Sequence, residues 1–176
     1  MRTVLSIAGV AVFVLTAAST AMAQGSGAEA RLKQLNITLP ADQAPAANFV
    51  NSVQAGKLLF LSGNTPGGQW PLKGKVGKDL TIEQGYDSAR QTGLIMLGKI
   101  RTALGSLDRV KRIVKVLGMV NSADGFSDQP KVVNGFSDLM VEVFGEAIGK
   151  HARSAVGMAG LPGNAPVEVE MIVEVE

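Results

Sequence analysis

Four segments of the chain carry hydrophobic patterns that predict β-strands. The last ten residues, VEVEMIVEVE, alternate an apolar face with a face that carries four carboxylates, which is the period of two of a half-buried strand. The run KLLFLSG, residues 57–63, is largely apolar and is followed closely by a proline, as buried strands often are. A strand with mixed faces is predicted over about Val110–Val120, and a shorter strand over Arg153–Met158.

Two longer segments repeat apolar residues at spacings of three and four, which predicts helices. The first follows Thr81, a favourable N-cap, and ends at Gly105. Gly93 lies on its apolar stripe and is expected to let the helix approach the sheet closely. The second begins near Pro130 and ends near Gly145. The stripes consist of Ile82, Tyr86, Ala89, Gly93, Leu97, Ile100 and Leu104 in the first helix, and of Val133, Phe136, Met140 and Phe144 in the second.

The order strand–helix–strand–helix–strand–strand predicts an α+β fold, with two helices packed on one face of a mixed sheet. The other face holds Ile172 and the carboxylates of the last strand, and such a face is commonly covered by oligomerisation. Residues 24–45 are interpreted as a flexible leader and an extended lead-in that can add a strand, because they are rich in glycine, alanine and turn-forming residues. Residues 46–176 are expected to form one domain.

The first 23 residues have the pattern of a secretory signal peptide. Arg2 precedes an apolar run of 15 residues, Val4–Ala18, which is short for a membrane span. Ala21 and Ala23 flank Met22 in a small-x-small cleavage pattern. We therefore expect cleavage after about Ala23 and a periplasmic or secreted protein without a membrane segment. An uncleaved N-terminal anchor is the alternative.

Composition excludes several kinds of chemistry. The formal net charge is +2, and it falls to +1 without Arg2, which argues against a strong general attraction for nucleic acid. The sequence contains no cysteine and one histidine, His151. Disulfides, thiolate metal sites, a cysteine nucleophile and a multi-histidine metal site are therefore excluded. No metal or cofactor is expected.

The stretch HARSAVGMAGLP, residues 151–162, places Arg153 among small and apolar residues. Two interpretations remain open at this point: the guanidinium pairs with an internal acid, or it binds an external anion. Glu168 lies on the following strand after a short turn, so an antiparallel pair would place the two side chains on one side and near each other. That arrangement fits either a structural salt bridge or a carboxylate-binding site.

Several motifs together resemble the RidA/YjgF family. The C-terminal stretch HARSAVGMAGLPGNAPVEVEMIVEV is similar to the family signature Ala-Arg-Ser, Leu-Pro and an alternating Val-Glu strand. The similarity extends upstream through VVNGFSDLMVEVFGE, GSLDRVKRIVKVLGMVNS and LLFLSGNTP, and so covers nearly the whole chain after the signal peptide. The nearest resemblance is to a subgroup often labelled endoribonuclease L-PSP. The resemblance implies a chorismate-mutase-like fold and a homotrimer with a site in each cleft between subunits.

The resemblance also implies roles for individual residues. Arg153 corresponds to the family arginine that holds the substrate carboxylate, and Glu168 to the glutamate that positions water. The implied reaction is hydrolysis of 2-enamine or 2-imine acids to 2-keto acids and ammonia, without metal or cofactor. The positions that the resemblance assigns to substrate binding are Arg153, Ala155, Ser62, Gly63, Phe49 and Asn134.

The chain departs from the family pattern at five positions, of which Phe49 and Ala155 belong to this substrate-binding set. Phe49 replaces a tyrosine, Ala155 a cysteine, Asn64 a glutamine, Ser137 an aromatic residue, and His151 a proline. These changes bear on the choice of substrate and on turnover. Three functions are therefore considered: an enamine/imine deaminase, a non-catalytic trimer that binds a small carboxylate or protects other proteins, and an endoribonuclease. The third is disfavoured because RNA cleavage usually needs an acid–base pair and a basic track.

Overall fold

The computed structural model describes residues 27–176, and the predicted order of strands and helices is confirmed within them. A short helix and an N-terminal strand precede the predicted elements. The elements are α1 (Ala28–Gln34), β1 (Ser52–Ala55), β2 (Leu58–Asn64), α2 (Ile82–Leu104), a 3₁₀ turn (Leu107–Arg109), β3 (Val110–Asn121), α3 (Gln129–Phe144), α4 (Glu146–Gly149), β4 (Ala152–Met158), a second 3₁₀ turn (Pro162–Asn164) and β5 (Val167–Val175).

The five strands form one mixed sheet in the order β1-β2-β5-β3-β4. Strand β5 lies at the centre and pairs antiparallel with both β2 and β3, whereas β4 pairs parallel with β3. The strict alternation of β5 agrees with this position, because its odd-numbered residues are buried under the helices. The predicted α+β fold with a mixed sheet is therefore confirmed.

The expected antiparallel pairing of β4 with β5 is wrong, because β3 lies between them. Strand β4 returns from α3 and α4 in a crossover and so lies parallel to β3. The chain then crosses the end of β3, where the Asn121 amide donates to the Pro166 carbonyl, and β5 enters on the other side. Arg153 and Glu168 are therefore separated by a whole strand.

The core lies between one face of the sheet and the two long helices, α2 and α3. Thr81 caps α2 through a reciprocal pair of hydrogen bonds with Gln84, and Gly105 ends it with a left-handed conformation, as predicted. Gly93 differs from expectation: a β-carbon there would lie 2.8 Å from Leu139 of α3, so it permits close packing between the helices and not against the sheet.

The lead-in also differs from expectation, because residues 28–34 form a helix. Leu32 of α1 is buried in the core. Glu29 forms a two-pronged ion pair with Arg101 of α2, with distances of 2.9 and 2.7 Å, and accepts a third hydrogen bond from the Leu107 amide. Part of the segment interpreted as leader and lead-in is therefore attached to the body of the protein.

The proposed signal peptide, residues 1–23, lies outside the described residues. In the part of the chain that the structure describes, no helix has both the length and the apolar character needed to span a membrane.

Candidate functional site

Arg153 lies on β4 and faces the helical layer. Its partner on β3 is Val116, which is fully buried on that face. One terminal nitrogen of the guanidinium donates to Asn134 Oδ1 and to Ser137 Oγ, both at 2.9 Å, and the other donates to the Pro130 carbonyl at 3.5 Å. Among residues 27–176, Arg153 forms no ion pair with a carboxylate. Neutral acceptors on α3 therefore orient the guanidinium and leave its charge uncompensated.

His151 lies beside this arginine and is linked to it by Ser137. The imidazole Nε2 is 3.1 Å from Ser137 Oγ, and Nδ1 is 2.6 Å from the Gly149 carbonyl oxygen. The ring also packs edge-on against Phe136, with 6.4 Å between ring centroids. Burial lowers the pKa of His151, the hydrogen bond to Gly149 opposes this shift, and the positive charge of Arg153 lowers the pKa further. The imidazole is thus held neutral at neutral pH.

Glu168 faces the other side of the sheet. It pairs with Met119 of β3 and is half-buried on the face away from the helices. Its carboxylate contacts Gly63 so closely that a β-carbon at position 63 would overlap it. Burial raises the pKa of Glu168, and the nearby charge of Glu170 raises it further. A side chain of any size at position 63 would therefore displace this carboxylate.

A cavity of about 550 Å³ opens next to Gly63. It lies between residues 40–51, residues 63–70 and helix α2, and its walls include the aromatic rings of Phe49 and Trp70. A buried ion pair forms part of its lining, with Lys99 Nζ 2.9 Å from Asp42 Oδ1. Two residues predicted to bind substrate, Phe49 and Gly63, therefore line one cavity.

The structure divides the predicted site residues into two groups. Arg153, Ala155 and Asn134 lie together on the helical side of β4, where Ala155 packs against the core. The second group lies around the end of β2, where Ser62 donates to the Val50 carbonyl at 2.7 Å, and comprises Ser62, Gly63, Phe49 and Glu168. The expectation that Arg153 and Glu168 share one side is wrong, because their register partners on β3, Val116 and Met119, point to opposite faces.

The sequence identifies Ser137 as a departure from the family pattern, and His151 as such a departure and as the single histidine, but it does not reveal their contact. The two residues are 14 positions apart, and the fold brings them together because the chain reverses between α3 and β4. Their sequence signal is that Ser137 stands where the resembling family carries an aromatic residue and His151 where it carries a proline.

Within the described chain, no group of three or more histidine, cysteine, aspartate or glutamate side chains is arranged to hold a metal ion. Arg153 is the charged residue of the first group and Glu168 that of the second, and the Lys99–Asp42 pair lines the cavity next to Gly63.

Comparison with known proteins identifies the family. The profile of the family described as "YjgF/chorismate mutase-like, putative endoribonuclease" matches residues 29–175. The chain is 47% identical over 149 residues to protein TCP17 of Trypanosoma cruzi, covering 82% of this chain and 92% of TCP17.

Two solved structures are also similar to this one. Atu1372 from Agrobacterium tumefaciens, a protein of unknown function, is 40% identical with a TM-score of 0.76, covering 84% of this chain and 91% of Atu1372. A structure from Shewanella oneidensis MR-1, titled a putative endoribonuclease, is 31% identical with a TM-score of 0.81, covering 85% of this chain and all of the other. The match of residues 29–175 shows that this chain belongs to the YjgF/chorismate mutase-like family.

Proposed function

We propose that this protein is an enamine/imine deaminase that hydrolyses a 2-imino or 2-enamino acid to the 2-keto acid and ammonia. The observation that carries the proposal is the guanidinium of Arg153, which Asn134 and Ser137 orient without neutralising its charge. A guanidinium fixed in this way is prepared to bind the carboxylate of an organic acid through two parallel hydrogen bonds.

The chemistry needs only a bound carboxylate and a positioned water. With its carboxylate on Arg153, an imino acid has its C=N carbon one bond away and therefore in a fixed place. Water adds to that carbon, a proton passes to the nitrogen, and the resulting carbinolamine expels ammonia to leave the keto acid. Glu168 is the proposed group that orients the water.

We further propose that the active form is a homotrimer with a site in each cleft between subunits. A ligand that contacts both Arg153 and Glu168 has to lie between two chains, because the two side chains leave one sheet on opposite faces. The face away from the helices also carries exposed apolar side chains, such as Val53 at 56% and Phe60 at 42% exposure. A second copy of the chain would cover this surface.

The main alternative is a trimer that binds a small carboxylate, or protects other proteins, without turnover. It is favoured by Phe49 and Ala155, which lack the hydroxyl and thiol that the resembling deaminases carry. RNA cleavage is disfavoured, because 17 basic residues are nearly balanced by 15 acidic ones and His151 is the single histidine.

The deaminase proposal is tested with an imine generated in situ from an amino acid by an amino-acid oxidase. We expect the wild-type protein to release ammonia and keto acid faster than buffer alone, and Arg153→Ala to lose this acceleration. Arg109→Ala is the matched control, because Arg109 is an exposed arginine that pairs at 3.9 Å with Glu176 at the chain end. Its rate should equal that of the wild type.

Wild-type decay at the buffer rate would contradict the deaminase proposal. If calorimetry then showed that pyruvate binds the wild type but not Arg153→Ala, the non-catalytic alternative would stand.

We also propose that the protein is exported to the periplasm or secreted after cleavage near Ala23, on the pattern of its first 23 residues. Mass spectrometry of the intact protein purified from its native cells gives the test: a mature N-terminus at Gln24 is expected, and an intact leader in a cytoplasmic fraction would contradict it.

A further inference from the structure

The geometry points to Ser137 and His151 as a proton-accepting pair for the ligand that Arg153 holds, a role that rests on the proposed deaminase function. Neither residue belongs to the set that the family resemblance assigns. The substrate class is the same 2-imino acid, and the pair supplies proton transfer on the Arg153 side of the cleft.

Hydrogen bonding fixes the direction of proton transfer through the pair. The Gly149 carbonyl can only accept, so His151 Nδ1 at 2.6 Å carries the ring proton. In the neutral ring Nε2 is then an acceptor, and the Ser137 hydroxyl at 3.1 Å donates to it. The same oxygen accepts from Arg153 at 2.9 Å. Ser137 therefore stands between the anchoring guanidinium and a base whose lone pair points at it.

The surroundings of His151 keep this base unprotonated. Helix α3 places Phe136 and Ser137 against the ring, α4 places the Gly149 carbonyl there, and β4 contributes Arg153. Within residues 27–176, the guanidinium of Arg153 is the one charge that bears on the imidazole, and it disfavours a second positive charge. The charged residues of α4, Glu146 and Lys150, pair with each other at 2.7 Å.

Within residues 27–176, Ser137 connects the guanidinium of Arg153 directly to the base His151. Glu168, the water-positioning group that the resemblance implies, leaves the sheet on the other face and reaches an Arg153-bound ligand only from a second subunit. Ser137 Oγ is bonded directly to the guanidinium that grips the carboxylate. The proposed transfer requires one water molecule to bridge the imine carbon next to that carboxylate and Ser137 Oγ.

Protons pass through the pair in both directions during the reaction. As water attacks the imine carbon, its proton passes to Ser137 Oγ while the hydroxyl proton of Ser137 passes to His151 Nε2. The imidazolium returns that proton through Ser137 to the former imine nitrogen, which gives the neutral carbinolamine. The hydroxyl proton of the carbinolamine then passes by the same route to the amine nitrogen as the C–N bond breaks, leaving the keto acid and ammonia. The pair ends in its starting state, and no oxidant, reductant or further reactant is consumed.

The kinetic test uses His151→Asn, Ser137→Ala and Ser137→Thr in the full chain with the oxidase-generated imine. Asparagine at 151 retains an amide donor for the Gly149 carbonyl but has no acceptor at the Nε2 position. We expect kcat to fall about 10²-fold in His151→Asn and Ser137→Ala with KM within about threefold of the wild type. Ser137→Thr keeps the hydroxyl and should retain most of kcat. The acid limb of the kcat profile, which protonation of His151 produces, should disappear in His151→Asn.

A second measurement does not depend on turnover. Because His151 is the single histidine, the ¹⁵N spectrum of labelled protein contains one imidazole. Pyruvate bound to Arg153 offsets the charge that lowers the pKa of His151, so the pKa should rise on binding. Ser137→Ala should alter the Nε2 signal in the free protein.

The outcomes separate the two proposals. Wild-type turnover with His151→Asn and Ser137→Ala within twofold of its kcat would overturn the proton-accepting pair and leave the deaminase proposal in place. A folded wild type without turnover would contradict both. A protonated Nδ1 and Nε2 at neutral pH, or an imidazole spectrum that bound pyruvate does not change, would also overturn the pair.

Discussion

Three charged side chains near the candidate site lie in three different electrostatic environments. Lys99 is buried and paired with Asp42, which offsets the desolvation of both groups. Arg153 is bonded to the neutral oxygens of Asn134 and Ser137. Glu168 is half-buried, and burial raises its pKa. The first arrangement is complete within the chain, whereas the other two leave charge available to a ligand.

The raised pKa of Glu168 predicts a pH-dependent change in stability. A raised folded-state pKa gives a contribution to stability that is present below the ordinary glutamate pKa and lost as pH rises through the folded value. Glu168→Gln removes this loss, so its midpoint of thermal unfolding should exceed that of the wild type at neutral pH. The two midpoints should converge at about pH 4.

Thermal unfolding scans between about pH 4 and pH 8 provide the measurement. Glu170→Gln serves as a comparison, and its effect should have the same direction and a smaller size, because the charge of Glu170 is the lesser cause of the shift. A Glu168→Gln protein less stable than the wild type at neutral pH would show that the carboxylate is favourably bound and not desolvated.

The identity of Arg153 and Glu168 as candidates could be predicted from the sequence, because both occur in a distinctive C-terminal motif. Their placement on opposite faces could not. The face of the sheet from which Arg153 projects depends on which strand pairs with β4. The alternation of residues within one strand does not reveal which strands lie next to it in the sheet. The contact of Ser137 with His151 was likewise out of reach, since it depends on how α3 packs beside β4.

Among the elements, helix α1 forms in a segment whose helix propensity is a weak signal in the sequence. Residues 28–35, AEARLKQL, are good helix formers, but they follow a Gly/Ser stretch and precede a segment rich in proline. Tertiary contacts complete the helix: Leu32 enters the core and Glu29 binds Arg101. Helices of this length are marginal in isolation, so these contacts account for most of its stability.

The Glu29–Arg101 pair predicts a pH-dependent contribution to stability. Burial on its own would raise the pKa of Glu29, but the hydrogen bonds from Arg101 and Leu107 outweigh it and lower the pKa. The resulting stabilisation is present above the ordinary glutamate pKa and lost as pH falls through the folded value. Glu29→Ala should therefore lower the free energy of unfolding at pH 7 by about 1 kcal/mol, since both side chains are partly exposed.

Urea unfolding at pH 7 and in acid checks this prediction. Glu146→Ala is the matched control, because Glu146 forms an exposed pair with Lys150 on one helical turn and its removal should change stability by less than about 0.5 kcal/mol. Equal losses for the two variants would show that α1 is not anchored through Glu29.

The packing of Gly93 in α2 was predicted only in part. Its position on an apolar stripe correctly indicated close packing, and the helix that it belongs to was predicted with both ends correct. The predicted packing partner of Gly93 was wrong, because helix α3 and not the sheet lies against this glycine. A hydrophobic stripe identifies the buried face of a helix, but the same stripe serves against a strand or another helix.

At the scale of the whole molecule, the order of the strands in the sheet determines where Arg153 and Glu168 lie. Both edges of β3 are occupied, by β5 and β4, so β4 becomes an outer strand with one unpaired edge. Arg153 is thereby carried to the border of the sheet, while Glu168 stays on the central strand. The architecture thus separates the two predicted site residues in one chain and leaves an edge where another chain can approach.

In the homotrimer proposed above, the opposite orientation of Arg153 and Glu168 has a genetic consequence: two defective alleles should rescue one another. Chains with Arg153→Ala and chains with Glu168→Gln, co-expressed in equal amounts, would assort randomly into rings, and about a quarter of the clefts would receive an intact arginine from one chain and an intact glutamate from its neighbour. Activity at about that fraction, absent from either homogeneous preparation and from their mixture before subunit exchange, is the expected result. No recovery in verified hybrid rings would mean that each cleft draws both residues from one polypeptide.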